Sequence, residues 1–118
     1  MCSSDLGVLV ITEGTHPPLA EKLRRRFQRT LPDVHARIRF VPQQSGDGYA
    51  GLLSAADVVL DPPHFGGMNT SYDPFSLGKV VVALPTNFQR GRYTLGCYRA
   101  MGIDEPIAVS VEIGRAHV

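Results

Sequence analysis

Cysteine is scarce in this chain, opposite charges nearly cancel, and no apolar run is long. Of the two cysteines, Cys2 falls in a terminal segment that reads as foreign to the fold. Cys97 is left without an internal disulfide partner, and a reducing, cytoplasmic setting is the default. The net charge of +1 gives no electrostatic case for nucleic acid or an acidic membrane surface. No stretch approaches the roughly 18 apolar residues of a membrane-spanning helix. Several fingerprints are also missing. No Gly-x-Gly-x-x-Gly follows the first apolar run and no Gly-Lys-Ser/Thr closes a loop, which argues against ordinary dehydrogenases and P-loop enzymes. His16, His35 and His64 have no Cys or His at metal-ligand spacing, so a metal site lacks support. Ser71 stands outside a Gly-x-Ser-x-Gly elbow. Cys97, beside Tyr98 in an amphipathic stretch, reads as a packing residue, not a nucleophile.

What remains is the composition of a globular α/β domain. With 43% hydrophobic and 19% charged residues, the chain is neither disordered nor membrane-spanning by composition. Its two ends stand apart. Met1-Cys2-Ser3-Ser4-Asp5-Leu6 and Ile113-Gly114-Arg115-Ala116-His117-Val118 both read as translations of sequencing adapters. Residues 1–6 and 113–118 are therefore set aside. Residues 7–112 are expected to be an internal slice of a longer gene.

Strands and helices alternate along that slice. Gly7-Val8-Leu9-Val10-Ile11 is an unbroken apolar run suited to a buried parallel strand. Pro17 and Pro18 open a helix whose Leu19, Leu23 and Phe27 predict one core face. Its basic residues, Lys22, Arg24, Arg25, Arg26 and Arg29, suit a solvated face or, alternatively, an anion or partner patch. A second strand covers Ile38, Phe40 and Val41, and a helix with Leu52 and Leu53 inward runs from Tyr49 to Ala56. Val58 to Leu60 form a third strand, Thr70 to Leu77 a helix, and Val80 to Leu84 a fourth strand. Arg90 to Met101 read as a last helix stopped by Gly102, and Ile107 to Val111 as a fifth strand. This alternation predicts a Rossmann-like parallel sheet with flanking helices, whose ligands sit beyond the carboxyl ends of the strands.

The most informative stretch runs from Asp61 to Asp73, Asp-Pro-Pro-His-Phe-Gly-Gly-Met-Asn-Thr-Ser-Tyr-Asp. It joins an apolar strand to a helix through a loop carrying Gly66 and Gly67. Glycines allow close backbone approach, and the free N–H groups at a helix start favour an anion, so this loop is suited to phosphate.

Residues 37 to 103 resemble the C-terminal nucleotide-sugar domain of glycosyltransferase family 41, the O-linked N-acetylglucosamine transferases and SPINDLY-type proteins. The pieces are Arg37-Ile38-Arg39-Phe40-Val41-Pro42, Ala56-Asp57-Val58-Val59-Leu60-Asp61, His64-Phe65-Gly66-Gly67, Asn69-Thr70 and Asp73, followed by Arg90-Gly91-Arg92 and Cys97-Tyr98-Arg99-Ala100-Met101-Gly102-Ile103. His-Phe-Gly-Gly and Arg-Gly-Arg look most like the bacterial branch.

The resemblance implies part of the C-terminal domain of a two-domain (GT-B) enzyme. That enzyme would move N-acetylglucosamine or a related sugar from a UDP-sugar to protein Ser/Thr, with no metal or other cofactor. It further implies that Gln44 and Tyr49 meet the uracil base, that Gly66, Gly67, Met68, Asn69 and Thr70 cradle the diphosphate, and that Asp73 bonds the ribose. Tyr49 equally suits a half-buried helix position, and Asp73 suits the helix dipole. His64 either faces the sugar or is a surface histidine. Arg92, a cation at a helix start, hints at an anion nearby, either the diphosphate or a carboxylate such as Asp61. Met68 and Asn69 depart from residues common in the family. Catalytic residues, the donor-binding lysine and the acceptor-protein domain are expected upstream of Gly7, so the slice alone is expected to be inactive. A non-catalytic nucleotide-binding module is the alternative. A sugar-nucleotide epimerase would need acid–base carboxylates not evident here.

Overall fold

The computed structural model describes residues 7–108. Both terminal segments set aside above, and most of the fifth strand expected from Ile107, lie outside them. The chain divides into two compact units, Met1–Ser45 and Gly46–Val118.

The first unit is a parallel pair of strands with one helix. Strand β1 (Leu9–Thr12) pairs with β2 (Ile38–Val41) in the register Leu9↔Ile38 to Thr12↔Val41. Glu13 extends the ladder by donating its N–H to the Val41 carbonyl at 2.8 Å. Helix α1 (Pro17–Thr30) opens on Pro17 and Pro18, where missing N–H groups cost nothing, and carries Arg29 in its last turn. The predicted face needs correcting at Leu19, which is 64% exposed, whereas Ala20 is buried. A strict fourth-residue repeat drifts about 40° per step around a helix. The stripe that packs is therefore Ala20, Leu23 and Phe27, with the Phe27 ring 6.2 Å from Phe40. Arg24 leaves the solvated face, stacking 4.6 Å over the Phe40 ring and pairing with Glu13 and Glu21. Arg25, Arg26 and Arg29 remain exposed. β1 is also more open than expected, with Val8, Leu9 and Val10 exposed. A two-stranded ribbon has too few neighbours to bury both faces.

The second unit contains α2 (Gly46–Ala55), β3 (Val59–Leu60), α3 (Asn69–Ser76), β4 (Val81–Val82) and α4 (Tyr93–Met101). β3 and β4 pair in parallel, and Ala83 bridges to Ile107 in the same sense. The strands thus form two small parallel sheets where one was expected. The core gathers Leu53, Val81, Ala83, Leu95, Tyr98 and Ala108. α2 begins three residues before the predicted Tyr49, at Gly46 with φ 53°. α4 begins later than the predicted Arg90, because Gln89–Gly91 form a 3-10 turn. Gly78 and Gly102, at φ 70° and 71°, follow α3 and α4 in the left-handed conformation that glycine tolerates. No helix among the described residues is long and apolar enough to cross a membrane.

Tyr98 ties α4 to β4. Its buried hydroxyl donates to the Val81 carbonyl at 2.6 Å and accepts the Val81 N–H at 2.7 Å. Burial pushes its pKa above the ordinary 10.0, with the Val81 hydrogen bond opposing and Cys97 adding to the rise. The folded state then keeps a proton that the unfolded state releases, so stability falls as pH climbs above 10. Urea midpoints measured between pH 8 and about pH 11 should decline with pH, and less steeply in Tyr98→Phe. A flat wild-type profile would contradict this assignment.

Candidate functional site

The loop between β3 and α3 is shaped by hydrogen bonds at each turn. At the carboxyl end of β3, Asp61 continues the ladder by donating its N–H to the Val82 carbonyl at 3.0 Å. Its carboxylate reaches across the loop, and Oδ1 accepts the Gly67 N–H at 2.8 Å. Gly66 donates its N–H to the Arg90 carbonyl at 2.7 Å. The Gly67 carbonyl accepts from Ser71 Oγ at 3.1 Å, and that hydroxyl lies 2.9 Å from Thr94 Oγ1 on α4. Ser71 and Thr94 are both buried.

A Cβ at Gly66 would sit 2.8 Å from Asp61 Oδ2, and one at Gly67 would meet Thr70 Oγ1, so a side chain at either position displaces one of these side-chain ends. The start of α3 then has no side-chain cap. The N–H groups of Met68, Asn69 and Thr70 have no partner among the described residues. Uncapped donors at a helix start, aligned with the helix dipole, form an anion-binding arrangement. Met68, Asn69 and Thr70 are exposed, so a ligand has access to it.

Other predicted residues fall in different places. Tyr49 on α2 is half-buried. Its pKa is raised first by burial and then by the negative charge of Asp73, which places the phenol and the exposed Asp73 carboxylate in one neighbourhood. His64 is exposed beside Phe65. Arg92 does not meet Asp61. Its Nη1 donates to the Thr86 carbonyl at 2.9 Å, while the Asp61 carboxylate is engaged by Gly67. Gln44 lies in the first unit, where Nε2 donates to the Pro42 carbonyl at 2.7 Å.

Three contributors to the loop escaped the sequence reading: the Asp61 carboxylate as an acceptor, Ser71 and Thr94. Asp61 had a usable signal, an acidic residue directly after a strand and ahead of a glycine pair. The Ser71–Thr94 contact joins residues 23 apart, and no local pattern announces it.

Comparison with solved structures places this arrangement among known folds. A mutant of the Thermobaculum terrenum O-GlcNAc transferase is similar in structure, with a TM-score of 0.81 at 20% sequence identity over 93% of this chain. That likeness establishes the fold. The chain has the α/β fold of part of a glycosyltransferase, with small parallel sheets and flanking helices. It spans 21% of that transferase chain. No protein-family model and no curated protein sequence matches it.

Proposed function

We propose that this chain is the donor-binding part of a GT-B protein O-glycosyltransferase of the O-linked N-acetylglucosamine transferase class. The observation that carries the reading is the uncapped start of α3 behind a glycine pair, in a chain whose fold matches an O-GlcNAc transferase. In this reading the free N–H groups of Met68, Asn69 and Thr70 hold the diphosphate of a UDP-sugar. Tyr49 supports the uracil base and Asp73 bonds the ribose hydroxyls. His64, Gly66, Gly67 and Arg92 complete the donor surface. Backbone donors stabilise the diphosphate as it leaves, an electrostatic role that requires no metal. The acceptor is a Ser/Thr hydroxyl of a cytoplasmic protein, held by a domain beyond this chain, and residues 7–112 alone bind donor without transferring sugar.

UDP titrated into the isotope-labelled chain tests this. Amide shifts should concentrate at Met68, Asn69 and Thr70 and extend to Tyr49 and Asp73. Asp73→Ala should weaken UDP about tenfold, roughly 1.5 kcal/mol for a hydrogen bond to a charged group. UDP-N-acetylglucosamine and a Ser/Thr peptide should give no product with this chain alone. Shifts that avoid Met68 to Thr70 would sink the donor-site reading.

A further inference from the structure

We propose that Asp61 is a positioning residue for the donor diphosphate, acting through the Gly67 peptide without touching the ligand. The inference rests on the donor-binding reading and adds to it a residue that the resemblance left without a role. The Gly67 peptide is gripped at both ends. Asp61 Oδ1 accepts its N–H at 2.8 Å, and Ser71 Oγ donates to its carbonyl at 3.1 Å, backed by buried Thr94. Asp61 itself is fixed by the ladder hydrogen bond to Val82. The loop is thereby referred to the sheet on one side and to α4 on the other.

Two consequences follow. The Gly67 N–H is already occupied and serves as scaffold, which leaves the next three N–H groups to face the phosphates. A side chain at Gly66 would push the carboxylate off the Gly67 N–H, because a Cβ there would sit 2.8 Å from Asp61 Oδ2. Charge and hydrogen bonding also pull in opposite directions. A carboxylate near a diphosphate repels it, so Asp61 serves as an acceptor and not as a charge. That separates it from Asp73, whose proposed role requires contact with the ribose.

The experiment compares UDP with uridine on the full chain, using D61A and D61N and amide shifts as the readout. D61A removes the acceptor and should weaken UDP at least tenfold while leaving uridine, which has no phosphate, within twofold. D61N keeps an acceptor oxygen and should hold UDP within threefold of wild type or tighter. Unchanged UDP affinity in D61A overturns the inference. So does a parallel loss of UDP and uridine, which marks a merely structural role. Wild-type protein that ignores UDP overturns the donor-binding reading itself and this inference with it. If D61A does not fold, Ser71→Ala decides, since it frees the other end of the same Gly67 peptide. It should weaken UDP more than uridine, and equal effects on the two overturn the inference.

Discussion

Tyr98→Ala should remove about 3–5 kcal/mol from the stability of the unit that carries the site, the range for deleting a buried aromatic ring. The ring is 3% exposed and packs edge-on against Phe75 at 5.0 Å with an interplanar angle of 77°. Its hydroxyl also serves both the N–H and the carbonyl of Val81. Truncation therefore opens a cavity and strips two backbone groups of a partner in the same step. Small domains are stable by only about 5–15 kcal/mol, so the loss consumes much of the margin. Tyr98→Phe keeps the ring and loses only the hydroxyl, so it should cost about 1–3 kcal/mol. Urea unfolding followed by circular dichroism measures both. Equal losses in the two variants would mean that the ring contributes nothing beyond its hydroxyl.

Gly91→Ala is the second large effect, and it originates in a loop, not in the core. Gly91 is buried in the 3-10 turn before α4. A Cβ there would lie 2.8 Å from the Pro63 carbonyl oxygen and collide with Thr86 Oγ1. The hydroxyl can rotate, but the carbonyl belongs to backbone and must move with its loop. Overpacking of this kind costs about 1–3 kcal/mol, and the backbone clash argues for the upper end. For a unit of this size that lowers Tm by roughly 10 °C or more. The strain also falls next to Arg90, whose carbonyl holds Gly66. Gly96→Ala provides the contrast. Gly96 sits within α4 with nothing near its Cβ direction, so alanine there should stabilise by roughly 0.5–1 kcal/mol. Scanning calorimetry that finds both variants equally stable would remove the steric argument.

The element order was readable because the chain punctuates itself. Pro17 and Pro18 mark the start of α1, and Gly78 and Gly102 the ends of α3 and α4. Short β-branched runs mark the strands. Leu19 misled because a fourth-residue repeat drifts around the helix, leaving it exposed while Ala20 packs. Elsewhere, what misled were positions decided by partners distant in sequence. Arg90 looks like a helix start, but the fit of Gly91 against Pro63 and Thr86 favours a tighter turn first. The glycine pair and the helix start were legible in the loop. The choice of Asp61's partner was not, because Arg92 is the obvious cation and a backbone N–H leaves no mark in sequence.

The two-ended grip on Gly67 also separates what the loop looks like from what it displays. Its curvature is imposed from behind by Asp61, Ser71 and Thr94, while Met68 and Asn69 present exposed side chains that take no part in that grip. Evolution or a designer can therefore repaint those two positions while the frame stays in place, so a saturation library at Met68 and Asn69 varies the displayed side chains of the proposed donor loop on a constant backbone.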